Sequence, residues 1–337
     1  MTRSFRCAAS PGALLAVLVA GSARAGEAAI VADLHLDTPS QLADRGLPLD
    51  APAGLEAGLV ALRAGGVGLA TMALWAGKAG VDHPARVERL FARLEAEDAR
   101  LDAVRVVRTP AEARAAVAAG RIGLLVALEG AEGLGADWEG ALAAADLRGL
   151  RMVGLVWSRS NRFAGSSGDG GGGLTDDGRR LLAAAQARGL LVDVSHASRP
   201  ATLAACAAAR APLVASHSGA AAVFDHPRNL SDAEARCIAG TGGVIALNLH
   251  AAFLGGAQDL QAAVAHLEHL RALVGARHLA IGSDYDGWIQ TPAGLPDAAS
   301  RPRLIAALAA RGWSAEELAL LQGEAFLRAW EQAAAVR

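Results

Sequence analysis

Five residues able to ligate a cation stand at the ends of short apolar runs. They are His35 and Asp37 in Asp33-Leu34-His35-Leu36-Asp37, Glu129 in Ala127-Leu128-Glu129-Gly130, His196 in Asp193-Val194-Ser195-His196, and His217 in Ser216-His217-Ser218. A further polar end, Gly282-Ser283-Asp284, adds another carboxylate. Neutral imidazole and carboxylate suit zinc and similar divalent cations without any thiolate. Five ligands are too many for one catalytic ion, which keeps three protein ligands and an open position. They suit two ions about 3.5–4 Å apart that share a bridging carboxylate. Charge agrees: two divalent ions are balanced by Asp37, Glu129, a bridging hydroxide and an ionised Asp284. Such a centre supplies hydroxide near neutral pH and polarises a carbonyl, which is hydrolysis.

Each of these residues alone reads as an ordinary hydrogen bonder; their coincidence with one structural rhythm does not. Strand-length apolar runs recur at Ile30–Leu36, Gly68–Trp75, Ile122–Leu128, Met152–Trp157, Leu190–Val194, Pro212–Ala215, Gly243–Leu249 and His278–Ile281. Several are nearly continuous in Val, Ile and Leu, as strands buried on both faces are. Between them, Arg86–Leu101, Ala111–Ala119, Asp176–Arg188, Arg199–Ala209, Ser231–Ala239, Leu260–Val274 and Pro302–Arg311 carry helical spacing. Ser314 and Glu317 form a capping box that opens a last helix reaching about Ala335. Strands alternating with helices imply parallel pairing and right-handed crossovers. The fold expected is a single α/β (β/α)8 barrel of the TIM type with a C-terminal helix, residues 26–337 forming one metallohydrolase domain. In that fold polar residues at the C-terminal strand ends carry the chemistry. A doubly wound sheet would want a Gly-rich phosphate turn after the first strand, and none is present. The Gly-rich stretch Gly165–Gly173 reads as a linker in preference to a lid over the site.

Strand alternation aims His35 and Asp37 at one face and Leu34 and Leu36 at the other, toward the helix layer. The same parity pairs Asp193 with Ser195 and not with His196, and gives Asp193 no ligand role. His83, His266, His269 and His278 fit helix or loop surfaces. His226 and His250 stand nearer the pocket, where an ordinary structural role is favoured for both.

The 337 residues carry 32 basic and 34 acidic side chains, a net charge of −2, and 53% are hydrophobic. A sizeable core is available, and the basic excess that nucleic-acid binding requires is missing. Arg3 and Arg6, the apolar run Ala13–Ala20 and the small residues Ala23 and Ala25 read as a secretory signal over residues 1–25. The mature chain then starts near Gly26, periplasmic or extracellular, and without a membrane span once the signal is removed. Cys206 and Cys237, on successive helices, are expected as two unpaired buried thiols, although export would expose them to an oxidising compartment.

The motifs above, together with Pro39, Tyr285-Asp286-Gly287, Pro227-Arg228-Asn229 and the tail Gly312-Trp313-Ser314…Phe326-Leu327-Arg328, resemble the membrane (renal-type) dipeptidases of the amidohydrolase superfamily. The resemblance runs through nearly all of the mature chain. It implies a barrel that cleaves dipeptides with two zinc ions and accepts a D-residue on the C-terminal side. It implies that His35 and Asp37 hold one zinc, His196 and His217 the other, and that Glu129 bridges them. Asp284 would move the proton from the attacking water to the leaving amine, and Arg228 would bind the substrate's free carboxylate.

Two positions depart from the family. Trp157 stands where mammalian members place a His that polarises the scissile carbonyl; an indole donates one hydrogen bond but shuttles no proton. Losing an oxyanion donor costs about 10²–10³ in rate, so Trp157 itself, Asn161 or the metals must compensate, or the substrate differs. His250 stands where a pocket Tyr is expected. The reading is therefore a zinc dipeptidase acting on small peptides, with a homodimer compatible with the sequence. Its rivals are another deacylase or lactamase on the same two-metal site, or a catalytically weakened binding protein.

Overall fold

The computed structural model describes residues 29–77 and 80–337; the expected signal lies outside them. Ten strands follow in chain order: β1 (Ala32–Leu36), β2 (Leu69–Trp75), β3 (Val104–Val106), β4 (Ile122–Glu129), β5 (Leu150–Gly154), β6 (Leu191–Asp193), β7 (Leu213–Ala220), β8 (Asn229–Leu230), β9 (Val244–Leu247) and β10 (Leu279–Ile281). The eight expected runs pair, all in parallel, in the order β1-β2-β4-β5-β6-β7-β9-β10, while β3 and β8 are short additions beside β4 and β7. A parallel bridge between Leu36 and Tyr285, with Asp37 N–H on the Tyr285 carbonyl and Asp284 N–H on that of His35, joins the two ends into a TIM-type barrel.

Crossover helices start where the capping chemistry places them. Asp82, Thr109, Ser198 and Ser231 each accept a backbone N–H three residues on, opening His83–Arg100, Pro110–Ala118, Arg199–Ala208 and Asp232–Gly240. The first three carry Pro in the first turn, where its missing N–H costs nothing.

Leu34, Leu69, Leu125, Ala127, Met152, Leu191, Val214, Val244, Ala246 and Ala280 fill the barrel interior as one buried cluster, which Phe326 and Trp330 of the helix Ala325–Ala334 close from below. Trp330 is fully buried; truncating it to Ala would cost about 3–5 kcal/mol.

Several expectations are corrected. Leu34 belongs to the interior and not to the helix layer, because β1 carries a bulge: Asp33 pairs with Ala70 but Leu36 with Met72, so one extra residue sits between them. The last helix is not continuous. It runs Ala315–Ala319, loosens over Leu320–Glu324 and resumes at Ala325, breaking at Gly323, where a Cβ would strike the Ile30 carbonyl. Cys206 and Cys237 are bonded to each other with Cα atoms 6.0 Å apart, since their helices lie side by side on the outside of the barrel. His266 is fully buried: its Nδ1 accepts from Ala220 N–H at 2.9 Å and its Nε2 lies 3.1 Å from the Leu254 carbonyl. The Gly165–Gly173 stretch is no free linker. Gly165 N–H bonds the Gly173 carbonyl, Ser167 N–H bonds the His196 carbonyl, and Ser166 Oγ donates to the Trp157 carbonyl at 2.6 Å. A Cβ at Gly165 would collide with the Gly172 backbone, so only glycine allows so tight a fold-back.

Candidate metal centre

Two sorts of local backbone aim the polar strand ends inward. His35 and His217 lie in bulged strands; in β7, Ala215 pairs with Ile245 but Ser218 with Leu247, which inserts a residue at the Ser216-His217 step. Bulges beside active sites re-aim side chains in this way. His196 and Asp284 instead stand three residues beyond the last residue of β6 and of β10, both at φ 67°. Left-handed backbone is unusual for residues with a Cβ and collects at functional sites. This turn brings His196 to the centre although strand parity alone would not.

His35, Asp37, Glu129, His196, His217 and Asp284 converge, each at most 8% exposed. Glu129 divides the group. Its Oε1 lies 3.0 Å from His196 Nε2 and 3.5 Å from His217 Nε2, and these two nitrogens are 2.8 Å apart. Its Oε2 lies 3.6 Å from His35 Nε2, which is 3.8 Å from Asp37 Oδ2 and 3.9 Å from Asp284 Oδ1. Ligand atoms of His35, Glu129 and His217 fall within 4.8 Å of one another, as do those of His35, Asp37 and Asp284.

The donor set fits cations. His35 Nε2 and Asp37 Oδ1 are buried with no hydrogen-bond partner among the described residues, a costly state unless something is ligated there. Burial disfavours charge on His35, yet Glu129, Asp37 and Asp284 outweigh it and push its pKa up to about 10. Burial also raises Glu129, but His35 and His196 hold it well below the usual carboxylate range. Burial, reinforced by Arg228, lowers His196 to about 4, and burial lowers His217 strongly too, so both stay in the neutral, ligating form. Asp284 Oδ2 accepts from Asn248 Nδ2 at 3.0 Å while Oδ1 faces the cluster, and burial pushes its pKa up to about 6 against the pull of His35.

Behind the ligands lies a hub that sequence reasoning missed. Ser216 Oγ donates to Asp193 Oδ2 at 2.5 Å and lies 2.8 Å from His217 Nδ1 and 3.2 Å from His35 Nδ1. With its only proton committed to Asp193, the hydroxyl accepts from both imidazole Nδ1 atoms, so a neutral ring at either position carries its lone pair on Nε2, facing the cluster. Asp193, given no ligand role from parity, thus acts one step back. Asn248, just beyond β9, was missed as well, although its place after an apolar run is the signal that marked the others.

A cavity of about 780 Å³ opens above the centre and is lined by Asp37, Glu129, His196 and Asp284 below and by Trp75, Trp157, His226, Arg228, His250, Phe253 and Trp288 around it. Arg228, just before β8, is 8% exposed; one of its Nη atoms donates to the His217 carbonyl at 3.0 Å. Trp157 is half-buried, its ring 6.1 Å from that of His196 and 5.1 Å from that of Trp75. The fold does not bring Asn161 to this wall. Its Nδ2 donates to Glu132 and to the Leu155 carbonyl, and its Oδ1 accepts from the N–H groups of Phe163 and Ala164. Asn161 therefore has nothing left to offer in place of the missing His, which leaves Trp157 or the metals.

Known proteins match this architecture. The chain is 37% identical over 229 residues to an uncharacterised protein of the pqqA 5′ region of Klebsiella pneumoniae, spanning 63% of this chain and 83% of that one. The crystal structure of the metallopeptidase dipeptidase AC superposes with a TM-score of 0.85 at 28% identity, over 91% of this chain and 99% of that one. A metallopeptidase from Rhodobacter sphaeroides, solved with a phosphinate mimic of the dipeptide L-Ala-D-Ala, superposes with a TM-score of 0.84 at 27% identity, over 90% of this chain and 99% of that one. Residues 22–337 match the family model of the membrane dipeptidases, peptidase family M19. The chain belongs to that family and is a metallo-dipeptidase.

Proposed function

We propose that this dipeptidase works with two zinc ions and hydrolyses dipeptides that include those with a D-residue at the C-terminus. One observation carries the reading: the two oxygens of a single buried carboxylate, Glu129, face two separate sets of ligand atoms. His35 and Asp37 would hold one ion, His196 and His217 the other, and Glu129 both. When bound, such a pair supplies hydroxide near neutral pH and polarises the scissile carbonyl. Asp284, held by Asn248 with one oxygen free, takes a proton from the attacking water and returns it to the leaving amine; burial brings its pKa toward the range that suits such a shuttle. Arg228 takes the substrate's free carboxylate through its guanidinium. Trp157 contributes one indole N–H beside the reacting carbonyl. Acceptance of a D-residue is supported by the L-Ala-D-Ala mimic bound to the Rhodobacter relative.

We further propose export, with a mature chain from about Gly26; the Cys206–Cys237 bond supports an oxidising compartment. Among the described residues no helix is long and apolar enough to cross a membrane.

Metal analysis of purified protein should return close to two equivalents of zinc, and the loaded enzyme should cleave members of a panel of L,L, L,D and D,D dipeptides. Activity confined to acylated or cyclic amides would replace this reading with that of another deacylase on the same centre, the alternative that Trp157 favours.

A further inference from the structure

One wall of the cavity offers hydrogen-bond donors well beyond what a simple carboxylate requires. Arg228 makes no ion pair among the described residues, and its Nε is buried without a partner. His226 and His250 line the same cavity. His226 Nδ1 accepts from the Arg228 N–H at 3.2 Å, and His250 Nδ1 accepts from the Ala252 N–H at 3.3 Å. A backbone N–H can only donate, so in each neutral ring the proton sits on Nε2. Neither Nε2 is hydrogen-bonded within the described residues, so each is an unused donor. Phe253 gathers all three groups: the ring centroids of His226 and His250 lie 4.5 and 4.3 Å from its own, and the Arg228 guanidinium lies 5.8 Å from it. Burial lowers the pKa of both imidazoles, so they meet a ligand as neutral donors beside one fixed positive charge.

Resting on the assignment of Arg228 to the substrate's α-carboxylate, we infer that this wall selects dipeptides whose C-terminal residue carries a second carboxylate, of the Asp or Glu type. A guanidinium fork saturates both oxygens of the α-carboxylate, which leaves the two imidazole N–H groups over. An apolar side chain placed against them would bury unmet donors, whereas a carboxylate meets both and adds charge complementarity with Arg228. Of the carboxylates that line the cavity, Asp37, Glu129 and Asp284 belong to the ligand cluster and Asp44 pairs with Arg86, and among the described residues none hydrogen-bonds either imidazole of this wall.

The test compares kcat/KM of the zinc-loaded enzyme on dipeptides that differ only at the C-terminal side chain, Asp against Asn and Leu, with the stereochemistry the enzyme accepts. The expected preference for Asp over Leu is roughly tenfold or more, the effect of charged hydrogen bonds. His226→Asn and His250→Asn keep an acceptor for the backbone N–H but remove the Nε2 donor. Together they should bring the Asp-to-Leu ratio to within about twofold of unity. The paired Gln substitutions, which return an N–H near the Nε2 position, should restore most of the preference. Equal rates on Asp and Leu dipeptides in the wild type, or an equal loss on both substrates in the Asn variants, would overturn the inference and leave the dipeptidase reading standing. Failure to cleave any dipeptide would sink that reading itself.

Discussion

His35 and His217 sit in bulged strands beneath the cavity, each 1% exposed and hydrogen-bonded into the sheet, whereas Trp157 and Trp288 stand on loops around the mouth, the first half-buried and the second 56% exposed. Three of the converging side chains are held from behind: Ser216 and Asp193 stand behind the imidazoles of His35 and His217, and Asn248 behind Asp284. On the rim, Trp288 stands at a left-handed φ of 54° with its ring 5.9 Å from that of Trp75. The converging side chains stand on strands or within three residues of strand ends, whereas the rim stands on loops that can vary without disturbing them.

That contrast is open to measurement. The largest effect should come from Glu129→Gln, which removes the group shared by both ligand sets. Zinc content should fall below two equivalents, and kcat/KM should drop by more than the about 10²–10⁴-fold expected for a lone acid–base residue; full activity with two ions bound would break the bridging assignment. Asp284→Asn should lower kcat by about 10²–10⁴-fold while both ions stay bound, as mass spectrometry under native conditions would show. Ser216→Ala sharpens the comparison from behind the floor. Chelator competition should find zinc bound about 10–100-fold more weakly at both positions, and weakening at one alone would refute the shared hub. At the rim, Trp157→Phe keeps the ring and removes the N–H; a loss of about three- to tenfold in kcat/KM is expected for one neutral hydrogen bond. A loss as large as that of Asp284→Asn would move Trp157 from the rim to the catalytic floor.

The sequence was legible wherever a pattern is local. Eight apolar runs and their capped helices required only period and turn chemistry, and the ligand candidates stood out because polar residues ended those runs. It misled where geometry depends on one residue more or less. Counting by twos sent Leu34 outward, but the bulge in β1 turned it in. Parity separated Asp193 from His196 and gave Asp193 no role, but it said nothing of the left-handed turn beyond β6 that carries His196 to the centre. The Cys206–Cys237 bond is not legible because nothing local states which helix faces meet, and nothing local shows that the neighbours of Asn161 use up its amide.

The order of strands and helices, the residue types at the strand ends and hence the class of chemistry were settled by the chain itself, since side-chain period, capping and ligand preference are properties of short segments. Which candidate ligands face one another, which hydroxyl bonds the two imidazoles and which donors stay unpaired in the cavity were decided only on closure of the barrel. Those relations join residues as distant as His35 and Ser216 or Asn248 and Asp284, and interactions between such groups exist only when the fold has brought them within a few ångströms.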